Sequence, residues 1–126
     1  MIAKKEIATK YIDFLEKGTI KELLKLFSEN GMVDSPVYGL MDAKQFYHAL
    51  KNDTINSELN LKGIFQEYDS NKIALYFNYK WTLKNNSQIE FDVVDIIEFN
   101  DANQITMLKI IYDTAKSSEL INALRT

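Results

Sequence analysis

The second half of the sequence is dominated by long segments in which apolar and polar residues alternate. These segments cover residues 59–68, 72–84, 88–99 and 104–114, and the turn-forming runs DSNK, KNNS and NDANQ separate them. Alternation with a period of two predicts strands with one apolar face, and strands joined by short turns predict an antiparallel sheet. The apolar face of such a sheet has to be covered by another layer, which the rest of the chain must supply.

The first part of the sequence supplies helices. Apolar residues recur at helical spacing in YIDFLEKG, IKELLKLF and AKQFYHAL, and Gly18 ends the first of these segments. The run TIKE is typical of a capping box with Thr19 and Glu22 as its members. ENGMVDSPVYGLM should cross as a short strand or loop, and a short last helix is expected at residues 117–124. We therefore predict a single α+β domain over residues 1–126, a curved antiparallel sheet wrapped around three N-terminal helices.

Composition excludes several classes of site and partner. The chain has no Cys and one His, which excludes thiolate and multi-histidine metal sites, and we expect no cofactor. Its formal net charge is -3, with no basic run that outweighs the neighbouring acids, so neither a nucleic acid nor an anionic membrane is an expected partner. No stretch is apolar enough for a membrane span or a signal peptide, so we expect a cytoplasmic protein.

The segment FDVVDIIEF, residues 91–99, carries a carboxyl group on its apolar face. Counting by twos places Asp95 on the same face as Val93 and Ile97, where burial should raise its pKa and favour the neutral acid. Two interpretations remain open. Asp95 is either a pocket group that donates a hydrogen bond to a ligand, or a structural carboxyl bonded to a neighbouring tyrosine or backbone amide.

The order of segments resembles the nuclear transport factor 2-like (NTF2-like) superfamily, in its SnoaL-like and ketosteroid isomerase-like branch. The resemblance rests on YIDFLEKGTIKELLKLFSENGMVDSP at the start and DIIEFNDANQITMLKIIYD at the end. It implies a cone-shaped α+β barrel, also called cystatin-like, with an internal cavity, and it implies a homodimer. It does not imply a reaction, because this fold carries unrelated activities.

Ketosteroid isomerase binds the oxyanion of its substrate with a tyrosine on the first helix and a protonated aspartate on a strand, and a second aspartate is the base. The resemblance places Tyr11 and Asp95 at the two oxyanion-binding positions. The position of the base falls on Ser35, and Asp34 precedes it. Strand alternation allows only one of Asp34 and Ser35 to face inward, so Asp34 is the candidate base only if it turns into the cavity.

Three functions remain compatible with this sequence. The first is binding of a small apolar molecule through an oxygen held by Tyr11 and Asp95. The second is a ketosteroid isomerase-like or SnoaL-like enzyme that stabilises an enolate with the same donors. The third is a non-catalytic dimeric interaction protein whose cavity is filled by large side chains. Besides Ser35, the resemblance implies lining residues on the later strands: Phe77, Tyr79, Trp81, Leu108, Ile110 and Tyr112.

Overall fold

The computed structural model describes residues 3–125, and residues 116–118 by their backbone alone. No helix in this range is long and apolar enough to cross a membrane. The described chain forms the helices α1 (Lys4–Lys17), α2 (Ile20–Leu24), α3 (Ala43–Asp53) and α4 (Ala115–Leu124) and the strands β1 (Phe27–Ser35), β2 (Gly39–Asp42), β3 (Thr54–Gln66), β4 (Lys72–Leu83), β5 (Gln88–Phe99) and β6 (Ile105–Ile111).

The strands form one curved, unclosed sheet in the order β2-β1-β6-β5-β4-β3. The predicted α+β class is confirmed, with three differences in the sheet. The stretch predicted as a short strand or loop forms both β1 and β2, and β1 pairs parallel to β6 while all other neighbours are antiparallel. The strand predicted from residue 59 begins at Thr54, directly after α3.

The helices α1 and α3 cover the inner face of this sheet. Their apolar residues fall on one stripe each, so one side of each helix is buried while the other faces solvent. Strand β4 shows the matching alternation, in which every second residue from Ile73 to Leu83 is buried. The buried residues of the two helices are Ile7, Ala8, Tyr11, Ile12, Leu15, Ala43, Phe46, Tyr47 and Leu50.

Bulges give the sheet its curvature. The register between β3 and β4 shifts between Thr54 and Asn56 and again between Leu61 and Gly63. An extra residue on one strand bends that strand and increases its twist, and the bent β3 packs against α1. The pairing of β4 with β5 has no such shift, so these two central strands stay in regular register.

The predicted capping box is wrong. Thr19 makes no side-chain cap, and its hydroxyl instead donates to the carbonyl of Phe14 at 3.5 Å, while Glu22 pairs with Lys25 at 3.2 Å. The backbone amide of Thr19 is bonded to the same Phe14 carbonyl at 3.0 Å, so the C-terminal turn of α1 fixes this residue. Helix α2 is therefore a five-residue helix without a side-chain N-cap.

The C-terminal segment is joined to the fold by a charged cluster. The guanidinium of Arg125 donates two hydrogen bonds to the Asp53 carboxylate, at 2.8 and 3.2 Å, and the Tyr38 hydroxyl donates to the same carboxylate at 2.6 Å. Burial acts to raise the pKa of Asp53, but the bonds from Arg125 and Tyr38 outweigh it and lower the pKa. With Ile121 buried in the core, this cluster holds α4 against the rest of the fold.

We expect Gly18→Ala to lower the free energy of unfolding by about 1 kcal/mol, because Gly18 ends α1 with φ +71°, where L side chains are disfavoured. No atom lies within 4 Å of the added methyl group, so backbone strain alone is measured. Gly18→Asn is the control and should lose less, because Asn tolerates this conformation better. Equal losses in urea unfolding for both variants would contradict this explanation.

Candidate functional site

A narrow cavity lies between the inner face of the sheet and the helices α1 and α3. It leaves about 40 Å³ for the centres of water-sized molecules, on a measure where one water needs about 10–15 Å³. The cavity therefore admits only a few heavy atoms unless side chains move. Its lining is mostly aromatic and consists of Tyr11, Leu15, Ser35, Tyr38, Phe46, Leu50, Phe77, Tyr79, Trp81, Phe91, Val93, Asp95, Ile110 and Tyr112.

Asp95 is the unusual group in this lining. Its side chain is 1% exposed, and neither carboxylate oxygen has a hydrogen-bond partner within residues 3–125. The register explains this isolation, because Asp95 lies opposite Leu75 on β4 and Ile110 on β6, neither of which offers a polar side chain. Burial raises the pKa of Asp95 well above its ordinary value, so the neutral acid is favoured.

The tyrosines of α1 and α3 form a buried hydroxyl pair. The oxygens of Tyr11 and Tyr47 are 2.6 Å apart, and their rings meet edge to face. Burial is the main cause that raises the pKa of both phenols, and the nearby Asp95 adds to it. Each phenol carries one hydrogen, so a pair that shares one hydrogen bond retains a second hydrogen for another acceptor.

Two aromatic residues of the lining, Tyr79 and Trp81, form an aromatic wall whose polar atoms are hydrogen-bonded to side chains of β3. The Tyr79 hydroxyl lies 2.7 Å from the Ser57 hydroxyl, and the Trp81 indole N–H donates to Thr54 Oγ1 at 2.8 Å. These two side chains consequently offer ring surface to the cavity. Phe91 continues the wall, with its ring centroid 5.7 Å from that of Tyr79 and 4.5 Å from that of Tyr112.

Most of the residues predicted for the site come together in this cavity, and two do not. The structure places Tyr11, Ser35, Phe77, Tyr79, Trp81, Asp95, Ile110 and Tyr112 in the lining. Leu108 shares the inward face of β6 but lies deeper, fully buried in the core in register with Val33 and Ile97, so its expected place in the cavity lining is corrected.

Asp34 is not part of the lining. Strand β1 keeps its alternation up to its last residue, so Ser35 is buried toward the cavity while Asp34 turns to the other face, half-buried and in register with Leu40 and Lys109. The Ser35 hydroxyl accepts a hydrogen bond from the backbone amide of Tyr38 at 3.0 Å. The candidate base therefore does not reach the cavity, and Asp95 is its only carboxyl group within the described chain.

The sequence did not identify the roles of Tyr47, which bonds to Tyr11 of the lining, and of Tyr38, which is in the lining. The helical stripe of α3 placed Tyr47 inward, but its hydroxyl partnership with Tyr11 joins residues on two different helices. Tyr38 lies in the turn between β1 and β2, where no periodicity could indicate its direction. No group of three or more potential metal ligands occurs among the residues that the structure describes.

A scan against models of protein families and a search of curated proteins both find no match. Solved structures do match. An NTF2-like protein of unknown function from Burkholderia pseudomallei has a TM-score of 0.82 and 12% identity, covering 96% of this chain and 98% of its own. A protein from Catenulispora acidiphila with a ketosteroid isomerase-like fold, solved with trimethylamine, has a TM-score of 0.75 and 13% identity, covering 86% and 85%.

A third match is the epoxide hydrolase/cyclase-like enzyme SalBIII, with a TM-score of 0.75 and 13% identity, covering 87% of this chain and 90% of its own. Together these matches decide the architecture. The chain has the NTF2-like fold. Identities this low establish an NTF2-like fold but no activity, since the fold supports many unrelated functions.

We expect Asp95→Asn to stabilise the protein increasingly as pH rises from 4 to 7. Above the ordinary Asp pKa of about 3.9, the unfolded chain loses the Asp95 proton while the folded chain keeps it. The free energy of unfolding of the wild type then falls by up to about 1.4 kcal/mol per pH unit until Asp95 ionises in the folded state. Urea unfolding at several pH values measures the difference, and a gap that does not grow would contradict a neutral Asp95.

Proposed function

We propose that the chain binds a small, largely apolar molecule in this cavity, through an oxygen held by Tyr11 and Asp95. The observation that carries the proposal is the Asp95 carboxyl, buried among apolar residues with both oxygens lacking a protein partner within the described chain. An unsatisfied buried polar group destabilises the fold by about 1–3 kcal/mol. A ligand oxygen would satisfy it, and such groups concentrate at functional sites.

Both donors suit an uncharged oxygen. Neutral Asp95 has an O–H to donate, and the Tyr11–Tyr47 pair has one hydroxyl hydrogen beyond its mutual bond. Inside a dry cavity such hydrogen bonds are stronger than in water. A carbonyl, phenol or enol oxygen can accept both, while the rings of Phe77, Tyr79 and Phe91 would contact the apolar part of the molecule.

Catalysis by enolate stabilisation is the second candidate, supported by the same two donors. It needs a base in addition, and within the described lining Asp95 is the only carboxyl group. A neutral donor cannot also accept the proton. Deuterium exchange at the α-carbon of a small bound ketone, measured by NMR, tests this candidate, and exchange that Asp95→Leu abolishes would support it.

A small amine is an alternative ligand for the same cavity. An unpaired carboxyl among aromatic rings is the chemistry that recognises alkylammonium ions, because the carboxylate neutralises the charge and the ring faces attract it. The similar fold from Catenulispora acidiphila was solved with trimethylamine. This mode requires Asp95 in its ionised form, so it is opposite in charge to the oxygen-binding mode.

Calorimetric titration with phenol and with trimethylamine separates these modes. We expect phenol to bind the wild type, and Tyr11→Phe and Asp95→Leu to weaken it at least about fivefold each, the scale of one buried hydrogen bond. Asp95→Asn keeps a hydrogen-bond donor, so this variant should still bind phenol. It carries no negative charge, so it cannot neutralise the charge of a bound amine. Rising pH should strengthen amine binding as Asp95 ionises, because only the carboxylate neutralises the charge of the amine.

Tyr68→Phe is the control, because Tyr68 is 90% exposed and is not part of the lining. Phenol binding that survives Asp95→Leu would contradict the proposed role of Asp95. Binding of trimethylamine alone would replace the oxygen-binding mode by the amine-binding mode. If neither compound binds, the remaining hypothesis from the sequence is favoured, namely an interaction protein whose aromatic side chains fill its cavity.

We also propose a homodimer formed through the outer face of the sheet. Tyr76, Val94 and Ile111 are in register on that face, and Ile111 is 47% exposed. An apolar row across a sheet matches the same row of a second copy in a two-fold interface. Sedimentation velocity should show a dimer for the wild type and a monomer for Ile111→Glu. Ile55→Glu on β3, also half-exposed at 51%, should stay dimeric, and identical sedimentation of all three would contradict this interface.

A further inference from the structure

A second cavity adjoins the first near the C-terminal ends of α1 and α3. It leaves about 200 Å³ for the centres of water-sized molecules, five times the room of the aromatic cavity, which has about 40 Å³. It is open to solvent on one side, and its lining is more polar, with exposed Glu16, Lys51 and Asn56 and buried Ser57. We call it the outer chamber and the aromatic cavity the inner chamber.

The two chambers share part of their lining, which we call the wall between them. Leu15 of α1 and Leu50 of α3 line both chambers. Elsewhere the wall is hydrogen-bonded, because the Tyr79 hydroxyl of the inner chamber meets Ser57 of the outer one at 2.7 Å. The Trp81 indole likewise donates to Thr54 at 2.8 Å. Of these elements the two leucines are the ones that can change rotamer without breaking a hydrogen bond.

A ring, phenol included, enters the inner chamber only when part of its lining moves. A ligand whose oxygen reaches Asp95 must displace part of the lining, and the leucine wall opens directly into free volume. The outer chamber has polar groups of both signs. Glu16 accepts from the backbone amide of Leu59 at 2.8 Å, and Lys51 donates to the carbonyl of Gly18 at 3.1 Å. Such a balanced polar lining suits an uncharged tail with hydroxyl, ether or amide groups.

Resting on the proposed function, we propose that the two chambers form one binding site for an elongated, uncharged amphipathic molecule, with Leu15 and Leu50 setting the length of ligand accepted. The oxygen-bearing ring occupies the inner chamber against Asp95. The polar tail passes between the two leucines and lies beside Asn56 in the outer chamber. A molecule with only the ring leaves the outer chamber unused.

Titration with phenol and with 4-(2-hydroxyethyl)phenol tests the joint site on the wild-type protein. We expect the hydroxyethyl compound to bind at least about fivefold more tightly. The side-chain amide signals of Asn56 in the NMR spectrum should shift with the longer compound and not with phenol. Neither measurement depends on a variant that folds.

Leu50→Ala should widen the passage and increase the preference for the longer compound over phenol at least threefold. The matched control is Leu83→Ala, which removes the same atoms from a buried leucine of β4 that lines neither chamber. The control should leave the ratio of the two affinities unchanged. A ratio that changes equally in both variants would mean that general loosening, and not this wall, sets the selectivity.

The outcomes separate the two proposals. If phenol binds in an Asp95-dependent way, but the tail adds no affinity and Asn56 does not respond, the joint site is overturned and the proposed function stands. If the longer compound shifts Asn56 and its affinity is unaffected by Asp95→Leu, it binds in the outer chamber alone, which also overturns the joint site. If neither compound binds, both proposals are overturned.

Discussion

The unbroken pairing of β5 with β4 is the constraint on which the rest of the site depends. The register runs from Lys72 opposite Glu98 to Thr82 opposite Gln88 without a shift, so the two strands share one alternation of faces. A slip by one residue would exchange the faces of β5 and turn Glu90, Asp92 and Glu98 inward. The observed register turns one acid inward instead of three, and that acid is Asp95. The apolar pattern around Asp95 therefore forces it into the interior.

The isolation of Asp95 in the interior is what gives the cavity a chemical character. Its neighbours across the sheet are apolar, and the hydroxyls of Tyr11 and Tyr47 are already bonded to each other. A fold optimised for stability alone would place an apolar residue at this position or give the carboxyl a partner. Local departures of this kind are expected where a protein binds something, because binding needs groups that the fold itself leaves unsatisfied.

The positions of Asp34 and Asp95 determine whether this site can only bind an oxygen or can also transfer a proton. A donor pair can stabilise an oxygen by itself, but enolisation also requires a group that takes the proton from carbon. Asp34 directly precedes Ser35, the position to which the resemblance assigns the base. The alternation of β1 turns Asp34 to the outer face, however, and gives Ser35 the inward position. Whether this cavity contains a candidate base therefore depends on which of two neighbouring residues of β1 faces inward.

Much of the fold was predictable because periodicity reports which face of an element is buried. The long alternating segments, the stripes of α1 and α3, and the inward direction of Asp95 all follow from that rule. It also brought Phe77, Tyr79 and Trp81 to one face of β4. The rule has no information on depth along a face, so Leu108 and Ile110 looked equivalent although one lies in the core and the other at the cavity.

What the sequence by itself determined is the class of fold and the presence of a carboxyl group inside it, since both follow from hydrophobic patterning that is local to each segment. Tertiary structure alone decided which groups meet. The Tyr11–Tyr47 hydroxyl pair, the position of Tyr38 above Asp53, and the leucine wall between the two chambers each join elements far apart in the chain. Such contacts depend on how layers pack against each other, and no periodicity within a single segment records that packing.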